Sequence, residues 1–361
     1  MPGPSDNYYA TTEIANRTIE FLSEHESKHV DQPFFAYVAF TSPHFPLQAR
    51  VEDIAKYKNL YQAGWDSVRK SRSSKQRTLG LMSTEPGPLE SAIGPPYQFE
   101  NVQKQLGEVD TLQEVAWDSL DDAHQAFQVH KMAIHAAMVD RMDQEIGRIV
   151  DQLSAMKCLD NTILFFLSDN GASAEIMIRG DGHDPSAAPG SASTFLCLGP
   201  GWSRAANTPF RRHKTWVHEG GISTPLIVHW PAGILRGGDF RFQSGHVIDM
   251  APTVVEMCGG VWNPTTPDAP GPSGKSMVSA IVGNEKIGPR DLWWLHEGNR
   301  AIRRDDWKLV ASRDQAWELY DLAFDRAETT DVASKYPDRV QKLAEAWQSM
   351  FDRIKADAAL P

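Results

Sequence analysis

The chain has 361 residues, of which 41% are hydrophobic and 23% charged, proportions that exclude wholesale disorder. That length accommodates one large domain and a smaller one. With 47 acidic against 36 basic residues the formal charge is −11, which excludes a general nucleic-acid binder, because such a protein needs a basic face.

Residues 11–29 are predicted to be a helix, with Ile14, Thr18, Phe21 and Leu22 sharing one face. Pro33 ends it. Residues 34–40 are a continuous apolar run, the pattern of a strand buried on both faces of a parallel sheet. A loop with two prolines, Thr41-Ser-Pro-His-Phe-Pro46, follows. Residues 50–82 are polar and helical, and the basic cluster from Arg69 to Arg77 reads as a solvated face. Residues 84–100 are a Pro/Gly loop. The longest helical pattern is 122–156, where Ile134, Met138, Met142, Ile146, Ile149 and Leu153 recur at three- and four-residue steps. It runs into a second apolar strand at 162–167, the alternation of an α/β fold. Residues 171–221 resemble an active-site rim, 225–230 a third strand, and His246–Thr253 the opening of a further helix. From about 285 the pattern changes to four short aromatic strands (291–296, 300–303, 307–310, 317–320) and a helix at 337–356, a small antiparallel sheet closed by a helix. The expected organisation is an α/β domain over 1–284 and a carboxy-terminal subdomain over 285–361.

Three stretches carry chemistry. Ser168-Asp-Asn-Gly171 follows an apolar strand and offers adjacent hard oxygen donors suited to Ca²⁺ or Mg²⁺, although Asp-Asn-Gly is also a common turn. His44 lies between Pro43 and Pro46 and can donate to an oxyanion or protonate a leaving group; a plain surface loop is the competing reading. Lys214, in Arg211-Arg-His-Lys214, is a point charge suited to a tetrahedral anion, and the following Gly220-Gly221 pair permits close backbone approach; a solvated basic stretch is the competing reading. Gly271-Pro-Ser-Gly-Lys-Ser276 is not a phosphate loop, because alanine stands at 269 where glycine is required. His124, His130 and His135 share no i, i+4 metal face and read as helix-surface histidines. Cys158, Cys197 and Cys258 show neither metal spacing nor a disulfide framework, and Cys197 reads as a buried structural thiol. No run reaches the roughly 18 apolar residues of a membrane span. The first residues carry no secretory signal, so the chain as written reads as cytoplasmic, or as periplasmic or extracellular if an earlier start has been lost.

In these residues and their order the chain resembles the type I, formylglycine-dependent sulfatases of the alkaline-phosphatase-like superfamily. The matching text includes residues 33–47, 137–143 and 161–171, then Asn207-Thr-Pro-Phe-Arg211, Lys214, residues 218–225, and Glu318-Leu-Tyr-Asp-Leu322. The resemblance implies an alkaline-phosphatase-like sheet flanked by helices. It makes Asp169 and Asn170 ligands of a metal, usually Ca²⁺. Lys214 becomes a sulfate-binding group, and His44 a substrate-binding acid on the leaving-group side. The family's nucleophile, a Cys/Ser-x-Pro-x-Arg residue converted to formylglycine, has no counterpart in these 361 residues, and the strands that carry it in the family are expected to be missing too. The expected function is metal-dependent hydrolysis of a sulfate ester on a small molecule or a sulfated glycan. The chain's partner in that case is a missing amino-terminal segment or a second chain. The alternatives are a phosphodiesterase or phosphonate monoester hydrolase of the same superfamily, or a non-catalytic binding module.

Overall fold

Helix α1 (Ala10–Lys28) lies along the long helix α5 (Asp122–Ala155). The computed structural model describes residues 8–95, 97, 102–106, 109–179, 182–234, 236–262 and 271–358. The α1 face turned inward is Thr11, Ala15 and Leu22, whose small residues permit close approach, so Phe21 stays 65% exposed instead of packing as expected. Asp121 caps α5 by accepting the His124 backbone N–H at 2.9 Å. Of the apolar stripe, Ile134, Met138, Met142 and Leu153 are buried. Short helix α2 (Val51–Tyr57) is held to α5 by buried Asp53, which accepts from Arg141 at 2.8 Å.

Helix α3 (Gly64–Thr78) brings Trp65 against Trp117 and Trp202, with ring centroids 4.9 and 5.6 Å away. The indole N–H groups of Trp65 and Trp202 donate to the carbonyls of Val115 and Gln128, so neither large ring is buried with an unmet donor. The solvated reading of 69–77 fails at Arg69. This guanidinium is only 4% exposed and donates to the carbonyls of Gly87, Arg204, Pro209 and Phe210. A fork of five donors can satisfy several loop carbonyls at once, a use that a basic run does not reveal. His135 also departs from the surface reading: burial, then the charge of Arg72, lowers its pKa to about 4.

After α4 (Val102–Leu106) and α5, strand β1 (Leu164–Leu167) pairs antiparallel with β2 (Leu226–His229), Leu164 opposite His229 and Leu167 opposite Leu226. Between them lie α6 (Gly199–Ala206) and the single turn α7 (Glu219–Ile222). Two expectations are corrected here. This pairing is not parallel, and residues 34–40 form no strand: Phe35 is 75% and Tyr37 85% exposed. An apolar run records an intended burial, but a strand also needs a neighbouring backbone to pair with.

Helices α8 (Met250–Met257) and α9 (Val278–Gly283) lead to the carboxy-terminal sheet, β3 (Asp291–His296), β4 (Asn299–Arg304), β5 (Trp307–Ala311) and β6 (Glu318–Asp321), antiparallel in sequence order. The β3–β4 turn is Glu297-Gly298, both at positive φ (52° and 81°), the backbone that suits a tight hairpin. One face packs Ile302, Leu309 and Leu319 against Leu343 and Trp347 of α10 (Pro337–Ala358). The opposite face packs Ala301, Val310 and Tyr320 against Val217, beside α7. This second contact ties the small sheet to the loop bearing Lys214. The three cysteines are free, and burial pushes the Cys197 thiol up to about 12.

Candidate functional site

The loop carrying His44 is fixed at both ends. Ser42 Oγ donates to the Met138 carbonyl on α5 at 3.2 Å, and the amide of buried Leu47 donates to Leu196 O at 2.8 Å. The His44 Nδ1–H donates to the Phe45 carbonyl at 2.7 Å. A carbonyl can only accept, so this contact sets the tautomer and leaves Nε2 as the ring's free lone pair. Nε2 faces Lys214 Nζ at 3.3 Å, across 170 residues of sequence.

Lys214 is positioned by two neighbouring segments. Its amide donates to Ala172 O at 3.0 Å, fastening it to the loop 169–172, and Gly171 N donates to Gly221 O at 2.9 Å. A Cβ on Gly171 would lie 1.8 Å from Gly220 O. The glycines therefore let these two loops approach each other, rather than letting a ligand approach the backbone. Asn207 bridges the same segments: its Oδ1 accepts from Ala172 N at 2.8 Å, and its Nδ2 donates to Ala172 O and Arg212 O. Arg212 and Thr215, on either side of Lys214, have φ of 68° and 88°, strained for residues with side chains and especially for a β-branched one. The Thr215 carbonyl accepts from His296 Nδ1 and Asn299 Nδ2, both at 3.1 Å, so the β3–β4 hairpin holds this backbone in place.

Beneath the site runs a buried polar layer that sequence reasoning missed. His213, fully buried, contacts Ser203 Oγ at 2.8 Å and Glu114 Oε1 at 2.9 Å. Ser203 donates in turn to Ala172 O at 2.8 Å. Ser203, His213 and Glu114 are all sealed from solvent, so the trio supports the 172 and 214 backbones and presents no nucleophile. Arg211 binds Glu90 at 2.8 Å and reaches Glu318 and Tyr320 at 3.3 and 2.9 Å. Burial alone would raise the Glu318 carboxyl, but the His218 hydrogen bond and charge, with Tyr320 and Arg211, outweigh it and hold it at about 2. Lys308, fully buried, pairs with Glu219 and Glu328 at 2.9 and 2.8 Å. The motif Asn207-Thr-Pro-Phe-Arg211 was the one available signal for this layer, because Asn and Arg in a loop between strands are suited to fastening carbonyls and carboxylates.

Of the four residues 211–214, Lys214 alone has no carboxylate at ion-pair distance among the described residues. His44, Lys214, Asp169 and Asn170 all line one cleft of about 3590 Å³. In a chain of net charge −11, this ammonium beside an imidazole is a local positive pole, able to hold a tetrahedral oxyanion and exchange a proton with it. Asp169 and Asn170 supply hard oxygens of the kind Ca²⁺ or Mg²⁺ takes. Among the described residues, however, no group of three or more His, Cys, Asp or Glu could hold a metal ion. Two donors are too few for the roughly 6–8 ligands of Ca²⁺.

A sulfatase family profile matches residues 2–261, and a profile described as N-sulphoglucosamine sulphohydrolase, C-terminal, matches 211–356. An uncharacterized sulfatase of Schizosaccharomyces pombe is 32% identical over 94% of this chain and 61% of its own length. An arylsulfatase of Klebsiella aerogenes is 29% identical over 70% of this chain and 52% of its own. The chain thus spans 52 to 61% of the length of these relatives. The crystal structure of Ps i-CgsB in complex with k-i-k-neocarrahexaose superimposes with a TM-score of 0.61 at 20% identity, covering 96% of this chain and 55% of that one. At that identity the likeness establishes the fold, a mixed α/β architecture of the alkaline-phosphatase-like kind.

Proposed function

The chain belongs to the sulfatase family, and from that premise we propose that its cleft receives the sulfuryl group of a sulfate ester. The observation that carries this reading is the 3.3 Å approach of Lys214 Nζ to His44 Nε2. Lys214 neutralises the sulfuryl oxygens. His44, its tautomer set by Phe45 O, presents the Nε2 lone pair on the leaving-group side, where it can take up a proton and then pass it on. The family's reaction is hydrolysis of sulfate esters, and a sulfated glycan is the substrate class we favour, supported by the oligosaccharide held by the related Ps i-CgsB.

Sulfatases are generally metal-dependent, and in this reading Asp169 and Asn170 contribute two oxygen ligands to a Ca²⁺ or Mg²⁺ shell. The cation would polarise the sulfuryl oxygens. These two residues do not by themselves complete a shell. The 361 residues also contain no Cys/Ser-x-Pro-x-Arg sequence, and therefore no formylglycine nucleophile. What this chain's own residues provide is recognition, charge neutralisation and a proton. The test is a titration of the full chain with inorganic sulfate, followed by NMR of the histidine ring nitrogens. The His44 resonances are expected to shift saturably, and Lys214→Ala should remove the shift. A His44 signal indifferent to sulfate, or an unaltered shift in Lys214→Ala, would overturn the assignment.

A further inference from the structure

A second hollow lies on the face of the carboxy-terminal sheet that carries α10. It encloses about 430 Å³, within the 300–1,000 Å³ typical of a small-ligand site, and no residue lines both it and the cleft. Strand alternation separates the two: Arg303 of β4 lines the cleft, and its neighbour Arg304 lines the hollow on the opposite face. Arg304, Lys335, Arg339 and Lys342 bring four cations together here in a chain of net charge −11. Arg304 is taken up by Asp291, through two contacts of 2.6 Å. Among the described residues Lys335, Arg339 and Lys342 have no carboxylate at ion-pair distance, although Asp305 and Asp338 line the same hollow. The Arg339 guanidinium is held by packing instead. Its carbon lies 3.9 Å from the centroid of the Trp307 ring, and Tyr336 meets that ring edge-to-face at 5.3 Å while remaining 46% exposed. A guanidinium stacked on a ring keeps its in-plane N–H donors at the edge, open to an anion.

We propose that this hollow is a secondary binding site for a sulfated saccharide, remote from the reacting group. The three free cations take a sulfate half-ester, Arg339 through paired donors. Asp305 and Asp338 accept from sugar hydroxyls, and the exposed face of Tyr336 packs on the apolar face of a pyranose ring. Cations alone would suit any polyanion. Carboxylates beside them repel a bare multivalent anion and favour one that also carries hydroxyl donors. The site shares the glycan substrate class of the reading above but none of its residues, so it retains substrate without taking part in the chemistry.

The readout is the Trp307 indole N–H resonance, identified by its loss in Trp307→Phe and followed by NMR on the full chain. The probes are a sulfated galactan hexasaccharide, the same hexasaccharide after desulfation, and inorganic sulfate. The sulfated saccharide should shift the resonance saturably, and equally in Lys214→Ala, which removes the ammonium beside His44. Arg339→Gln and, separately, Lys335→Gln combined with Lys342→Gln should each weaken that binding about tenfold or more. The lysine pair leaves the stack on Trp307 intact, and an unmoved Trp202 indole resonance shows that each variant folds. Desulfation should weaken binding to the same degree, and inorganic sulfate should produce no saturable shift. The proposal is overturned if the sulfated saccharide leaves the Trp307 resonance unmoved, if the shift vanishes in Lys214→Ala, or if it survives both sets of substitutions. It fails too if the desulfated saccharide or inorganic sulfate matches the sulfated one. A His44 signal indifferent to sulfate would leave this readout unaffected, so the two readings fail separately.

Discussion

Lys308→Met isolates the buried ionic layer that joins the carboxy-terminal sheet to the site loop. The Lys308 ammonium lies 2.9 Å from Glu219 and 2.8 Å from Glu328, and neither it nor Glu328 has measurable exposure. At an effective dielectric near 20 each contact is worth about 6 kcal/mol gross. Desolvation offsets much of this, and breaking such a pair typically costs about 3–5 kcal/mol, because a carboxylate is left buried without its cation. Burial alone would raise the Glu219 carboxyl; the charges of Lys308 and then Arg326 outweigh it, holding the group well below the usual glutamate range. A depressed carboxyl contributes stability that is present above the unfolded pKa and lost as pH falls through the folded one. Without Lys308 the carboxylates bind a proton more readily, so the variant's deficit should shrink on acidification. Urea unfolding followed by tryptophan fluorescence should therefore show a loss of about 3–5 kcal/mol near pH 7 and a clearly smaller one near pH 5. A loss below about 1 kcal/mol, or one unchanged between the two pH values, would refute the reasoning.

Gly171→Ala places a Cβ 1.8 Å from the Gly220 carbonyl, so it should separate the 169–172 loop from Lys214 and abolish the sulfate-induced shift of His44; an intact titration would count against the loop–loop approach. Trp202→Ala should cost about 3–5 kcal/mol, read as a lowered urea midpoint, because it empties the centre of the Trp65–Trp117–Trp202 cluster. With burial pushing its thiol up to about 12, Cys197 stays protonated and sealed near pH 8. Thiol reagents should then label exposed Cys258 in the native chain and Cys197 only after unfolding, and equal native rates would contradict this.

Where local pattern and tertiary environment agree, the fold was legible. The alternating aromatic strands at 291–320 and the long apolar stripe of α5 appear within a residue or two of their expected positions, because each buries a regular face against a partner in this chain. The extended segment 34–40 departs from its expectation for the complementary reason: its pattern is apolar throughout, but among the described residues no strand pairs with it. The basic runs failed differently. Arg69, Arg211 and Arg212 look like a solvated surface, yet they bind loop carbonyls or Glu90, contacts between residues far apart in sequence that no local window contains. At the site, the structure places His44 beside Lys214, with Asp169 and Asn170 lining the same cleft. The supports beneath them, Ser203, His213 and Glu114, have no local signature because they come from three separate segments.

The central claim is that this chain carries sulfate recognition without a nucleophile of its own. It is tested most directly by assaying the purified chain with 4-nitrophenyl sulfate in Ca²⁺ buffer, under conditions where sulfate binding at His44 has been established. The account predicts no turnover above that of Lys214→Ala, since charge neutralisation and a proton do not replace a positioned nucleophile. Robust turnover by the chain alone, abolished by Asp169→Ala, would contradict it.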